Sequence, residues 1–203
     1  RRGLRSVTKT VDLRDMAAAS HASRMVPTAA CMRYYPLYID LSKKNILLVG
    51  AGEVGLRKAA SILAAHPGRL EVVDPILAGA IPEILSGSEV VCHAREFQPA
   101  DLEGKSLIFA ATGNRELNAR IAGLCNASGQ LCNVIDAPAL GSFIVPAHFR
   151  QNGISVALST EGQSPALARK LRGELEAWCG KRYSPLLTIL GRLRPLLLEL
   201  ELP

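Results

Sequence analysis

An α/β fold is predicted: a doubly wound parallel sheet, then a small second region of short antiparallel strands plus a helix, then a short helical end. Three features of the sequence predict it. Short apolar runs alternate with segments of helical period between Asn45 and Asp136. Those runs are continuous rather than alternating, as strands buried on both faces are. After Asp136 the rhythm breaks into two apolar segments a turn apart and a long helical stretch. Strands separated by helices imply right-handed crossovers and a parallel sheet.

The elements follow in order. "NILLVG", 45–50, is a strand ending in glycine, and Val54 to Ala65 repeats apolar residues at helical spacing. "RLEVVD", 69–74, is the second strand. Residues 76–86 read as a short helix with Pro82 as its weak point. "SEVVCHA", 88–94, and "KSLIFAAT", 105–112, are the third and fourth strands. Asn114 then caps a helix to about Ser128, and "QLCNVID", 130–136, is the fifth strand. "GSFIVPA" and "GISVALS" read as an antiparallel pair. Ser164 and Pro165 supply an N-cap and a first helical position. That helix is expected to stop at Gly180, with a Leu-rich helical segment over 185–202 interrupted by Pro195. The expected division is 1–31, 32–144, 145–180 and 181–203.

Charge narrows the function classes. Of the net +6, residues 1–31 supply six Arg/Lys against two Asp. Residues 32–144 carry 10 basic and 11 acidic residues, so a broad nucleic-acid surface is not expected. Residues 145–203 have eight basic and five acidic residues, a mild positive bias. Residues 1–31 have no apolar period and read as a disordered tail or as sequence upstream of a start at Met32. They lack the apolar core of a secretory signal, and Asp12 and Asp15 are unusual in a transit peptide. No uninterrupted apolar run reaches ~18 residues, so no membrane span is expected. The five cysteines are odd in number and form no C-x-x-C, which fits reduced thiols in a cytoplasmic protein. No metal site is expected.

Gly50, Gly52 and Gly55 are spaced G-x-G-x-x-G, after a strand and at the opening of a helix. That context is what a dinucleotide cradle needs. Gly50 makes the turn, Gly52 admits the pyrophosphate, and Gly55 lets helix and strand pack closely. Free N–H groups of Glu53 and Val54 face the phosphates. Asp74 ends the second strand where an acid binds the ribose 2′-hydroxyl, which favours NAD over NADP. Thr112, Gly113 and Asn114 join the same rim at the end of the fourth strand. The domain therefore reads as a Rossmann domain. Asp136 also lies at a carboxyl strand end. It either takes a proton or caps the turn into Pro138.

Four ordered stretches carry a more specific signal. "YYPLYIDLSKKNILLVGAGEVGLRKAASIL", "FAATGNRELNARIA", "CNVIDAPALGSFIVPA" and "VALSTEGQSPALARKLR" together resemble the precorrin-2 dehydrogenase family, which includes the amino-terminal part of siroheme synthase. The similarity runs from about Met32 to about Trp178. It implies NAD-dependent oxidation of precorrin-2 to sirohydrochlorin, with Fe²⁺ insertion as sirohydrochlorin ferrochelatase in bifunctional members. It implies Asp136 as the general acid/base, and a homodimer built through the region after the sheet. The methyltransferase part of fused members is absent from this sequence. Glu161 stands where the family has a small residue, often Gly.

Precorrin-2 carries eight carboxylates. Arg169, Lys170 and Arg172 on the last predicted helix either meet them or form a solvated face. Ser159 and Ser164 lie at the start of that helix, where orphan N–H groups attract anions. His148 is either a proton or metal shuttle near the substrate or an ordinary surface residue. The competing reading is a non-catalytic, dimeric NAD-binding or sensing module.

Overall fold

The structure is a computed structural model in which residues 33–199 are described. The tail assigned to 1–31 lies outside the described residues. So does the end of the Leu-rich segment, residues 200–203.

Five parallel strands form one sheet in the order β3-β2-β1-β4-β5: β1 (Asn45–Val49), β2 (Arg69–Val73), β3 (Val90–His93), β4 (Leu107–Ala110) and β5 (Leu131–Val134). The order reverses between β1 and β4, the place where such sheets open a crevice at their carboxyl ends. Side chains of β1 alternate between two cores. Leu47 and Val49 join Val73, Ile108, Ile121 and Val134 on one face. Ile46 and Leu48 join Ala59, Ile62, Leu70 and Phe109 on the other. Helix α1 (Glu53–Leu63) covers the second face and α2 (Arg115–Ala127) the first. Both faces are thus buried, and continuous apolar strands are the result.

The stretch predicted as a helix over 76–86 is instead two short 3-10 turns, Pro75–Ala78 and Glu83–Leu85. Pro82 explains the break. It has no N–H to continue a helix, and it biases Ile81 away from helical backbone. Leu77 and Leu85 still reach the core from these turns.

The second region is a hairpin, β6 (Ala147–Gln151) and β7 (Ile154–Leu158), packed on a long helix, α3 (Pro165–Glu199). The pairing segment is therefore "AHFRQ" and not "GSFIVPA". Phe143 and Val145 pack against the sheet core, and Phe143 sits edge-on to Phe109 at 5.5 Å. Their apolar character serves that core rather than a strand ladder. Asn152 and Gly153 turn the hairpin with φ of 48° and 85°. Two successive positive φ values are what a two-residue hairpin turn needs.

Gly180 does not stop α3, which runs on through Pro185 and Pro195. A side chain at Gly180 would run into the Gln151 carboxamide, so the missing Cβ makes a notch for the hairpin. Glycine inside a helix costs about 1 kcal/mol relative to alanine, which packing against the hairpin can offset. Each proline removes its own donor and crowds the carbonyl four residues before it, a cost of about 3 kcal/mol or more. Beyond Gly180 the helix exposes Leu186, Ile189, Leu190, Leu196 and Leu198.

Candidate active site

Two recesses open near the carboxyl ends of the strands. The larger, a cleft of about 630 Å³, is lined by Gly50, Gly52, Asp74, Thr112, Gly113 and Asn114 among others. The sequence had pointed to all six as cofactor residues.

The glycines divide their work. Gly50 has φ of 106°, and a Cβ there would lie 2.6 Å from the Ala111 carbonyl. Both facts exclude a side chain. A Cβ on Gly55 would strike the Gly50 carbonyl, so α1 can approach the loop only with glycine there. Gly52 differs: its backbone is extended, and nothing lies within 4 Å of an added Cβ. It is the N-cap of α1 and lines the cleft. That open approach to a helix N-terminus fits a pyrophosphate. Glu53 is exposed in the first turn of α1.

Asp74 is fixed before any ligand arrives. Its carboxylate accepts from the N–H of Ala51 at 2.6 Å and of Ile76 at 2.9 Å. It thereby ties the end of β2 to the glycine loop. On the opposite rim, the Asn114 side chain accepts from Glu116 and Leu117 N–H groups and caps α2. Asn118 is only 3% exposed and sequence reasoning missed it. Its carboxamide accepts from the Thr112 hydroxyl at 2.7 Å and donates to the Thr112 carbonyl at 2.9 Å. A buried Asn four residues past an N-cap was the available signal. Glu96 and Arg120 also line the cleft and were missed.

The smaller recess, about 320 Å³, brings His148, Arg169 and Arg172 together with Val54 and Ile135. It also takes in Arg57 and Lys58 from α1, which sequence reasoning did not single out. Val54 was expected at the cofactor and lines this recess instead of the cleft. The His148 ring donates through Nδ1 to the Pro146 carbonyl at 3.0 Å. A carbonyl only accepts, so Nδ1 carries the proton and Nε2 is left free.

Asp136 directly follows Ile135, a lining residue, two positions past the end of β5. The turn over Pro138–Leu140 is capped by Ala137 without a side-chain hydrogen bond. The Asp136 carboxylate is therefore not spent on that turn. The Ile135 N–H donates to the Ala110 carbonyl at 3.2 Å, next to Ala111 of the cofactor cleft. Asp136 itself is exposed and lines neither recess; its neighbour Ile135 lines the smaller one.

The remaining sequence candidates sit elsewhere. The Ser159 hydroxyl accepts from the Glu161 N–H, and the Ser164 hydroxyl from the Leu167 N–H, capping α3. Lys170 is exposed and pairs with Glu174 at 3.8 Å. Neither serine nor Lys170 lines the recess. Glu161 has φ of 52°, left-handed backbone that favours glycine. Among the described residues no group of three or more His, Cys, Asp or Glu is placed to hold a metal ion, and no helix is long and apolar enough to cross a membrane.

The switch-point cleft, the glycine loop and the fixed acid define a dinucleotide-binding Rossmann protein. Comparison with known proteins agrees. Residues 37–147 match the family described as "Putative NAD(P)-binding", and residues 151–177 match "Sirohaem biosynthesis protein central". The chain belongs to this NAD(P)-binding family. It is 40% identical over 163 residues to siroheme synthase 1 of Aeromonas salmonicida (strain A449), covering 80% of this chain and 35% of that protein. It is 39% identical over 163 residues to the siroheme synthase of Ectopseudomonas mendocina (strain ymp), with the same coverage. The chain thus spans about a third of the length of the curated relatives it matches. The solved structure of SirC, precorrin-2 dehydrogenase, shares the fold with a TM-score of 0.68 at 24% identity, over 80% of each chain. The predicted fold class, family and cofactor class are all borne out.

Proposed function

We propose that this chain oxidises precorrin-2 to sirohydrochlorin with NAD⁺, and that Asp136 takes the proton. One observation supports the reading: a dinucleotide cleft lies in the same sheet as a cationic recess whose lining includes Ile135, the residue before Asp136. NAD⁺ supplies the hydride acceptor when bound. The chain's own residues do the rest. Gly52 and the start of α1 receive the pyrophosphate, and Asp74 holds the ribose. Glu96 adds a second negative charge to the cleft, which disfavours a 2′-phosphate. Loss of a hydride from the substrate leaves a proton to be removed, and the Asp136 carboxylate accepts it.

Fe²⁺ insertion into sirohydrochlorin is a second step that the same carboxylate can serve, because chelation also removes pyrrole protons. The exposed leucines of α3 support a homodimer. The experiment is anaerobic: purified chain, precorrin-2 and NAD⁺, with Asp136→Ala in parallel, then Fe²⁺ or Co²⁺. NADH and sirohydrochlorin from the parent and not from the variant establish the dehydrogenase. NAD⁺ binding with no turnover by the parent refutes it and leaves a binding module.

A further inference from the structure

The smaller recess has a charge imbalance. Four cationic side chains line it: Arg57 and Lys58 from α1, Arg169 and Arg172 from α3. Its lining contains no Asp or Glu. Arg172 reaches Glu176 at 3.5 Å, but both side chains are well exposed and the pairing is loose. No ion pair is formed by Arg57, Lys58 or Arg169 among the described residues. Like charges gathered in a concave, partly dry site repel one another, and an anion relieves that repulsion.

The geometry is two-sided. Arg169 and Arg172 are three residues apart and share one face of α3. Lys170 leaves that face to meet Glu174. Arg57 and Lys58 stand on the other wall. Lys58 is half-buried, with Nζ 5.8 Å from the centre of the Phe109 ring. Burial first, and then the Arg57 charge, push its ammonium down from the ordinary lysine value. The lining also includes apolar Val54, Ile135, Val145 and Pro146. An apolar lining with cationic pairs from two helices suits a flat, apolar body with anionic groups at two edges. A lone phosphate would leave one wall without a partner.

We infer that Arg57 and Lys58 form, with Arg169 and Arg172, a carboxylate clamp that grips one substrate molecule from both walls and presents its ring beside Asp136. This deepens the proposed function and rests on it for the identity of the substrate. The clamp makes Arg57 and Lys58 determinants of specificity for a polycarboxylate. They sit on the helix that the glycine loop begins, so cofactor and substrate are positioned by one rigid element.

The test uses the full chain and two readouts. Pyromellitate, a planar benzene tetracarboxylate, is titrated by calorimetry at low salt, with acetate and inorganic phosphate as separate arms. Arg57→Gln and Lys58→Met keep the side-chain stems and so the packing. Each is expected to weaken pyromellitate binding, and to raise KM for precorrin-2 but not for NAD⁺, by about tenfold or more. Arg192→Ala, exposed far along α3, is the control and should change neither. Thermal melts confirm that each variant is folded. The clamp is overturned if the parent fails to bind pyromellitate, binds phosphate or acetate as tightly, or loses nothing in either variant. Pyromellitate binding that depends on Arg57 and Lys58, without precorrin-2 turnover, overturns the dehydrogenase and leaves the clamp. Turnover with KM unchanged in both variants does the reverse.

Discussion

Replacing Gly52 with alanine should abolish tight cofactor binding while leaving the fold alone. The backbone at Gly52 has φ of −66° and ψ of −178°, a conformation open to any residue. No atom lies within 4 Å of the added Cβ, so nothing is overpacked. Alanine is a poorer N-cap than glycine by about 0.5 kcal/mol, and it restricts the unfolded chain by a similar amount. These effects oppose, so Tm should move by less than about 3 °C. Binding is another matter. Gly52 lines the cleft, so the methyl adds bulk at its wall. A carbon needs about 3.5 Å of clearance where a phosphate oxygen would sit near hydrogen-bond distance of the N–H groups. Pushing the pyrophosphate away costs one charge-assisted contact, about 1.5–3 kcal/mol, or roughly 10- to 100-fold in affinity. Calorimetric titration with NAD⁺ and a thermal melt on the same sample decide the matter. Parent-like affinity would remove Gly52 from the pyrophosphate site. A collapsed Tm would show that its side-chain space is not free.

Gly55→Ala should do the opposite, because its Cβ meets the Gly50 carbonyl, backbone that cannot swing aside; urea unfolding should show a loss of about 2–4 kcal/mol. Asn118→Leu keeps the volume but removes the carboxamide's bonds to the Thr112 hydroxyl and carbonyl; stability should fall by about 1–3 kcal/mol, and NAD⁺ affinity should fall with it as the rim loosens. Asp136→Asn should leave the melt unchanged and cut NADH formation by about 10²- to 10⁴-fold, measured anaerobically with precorrin-2. Acid should unfold the protein through two carboxylates, Glu71 on β2 and Asp101 in the 3-10 turn Pro99–Leu102. Burial alone would raise Glu71, but Lys105 at 2.9 Å, with His93 and Arg69, outweighs it and holds the carboxyl below its ordinary 4.5. Arg95 holds Asp101 below 3.8. Both groups are depressed in the folded state, so the stability they contribute is present above the ordinary carboxylate range and lost as pH falls through the lowered values. Urea midpoints should therefore drop below about pH 4, and Lys105→Met should shrink that drop; a midpoint that rises toward acid would refute the assignment.

What was legible in the sequence was what local pattern encodes. Strands β1 to β5 are apolar because both their faces are covered, so each left a run that could be read directly. Asn114 and Ser164 act as caps within three residues of themselves, and both were found. The errors came where distant chain decides. Gly180 looks like a helix stop until Gln151, on the hairpin, is seen beside it. "GSFIVPA" looks like a strand because its apolar residues pack on a sheet that they do not join. Here a local signal was present and passed over: Asn152-Gly153 marks the true hairpin turn. Arg57 and Lys58 left no mark. A basic pair on a helix is ordinary, and only α3 across the recess gives it meaning.

The bridge that Asp74 makes between Ala51 and Ile76 has a kinetic consequence. A loop already held in the shape its ligand needs has little ordering left to undergo when the ligand arrives. Association with NAD⁺ should then proceed in one exponential phase whose rate rises linearly with concentration, without a slow rearrangement behind it. In Asp74→Ala the same loop must be ordered by the cofactor itself, and the rate should level off as that ordering becomes limiting.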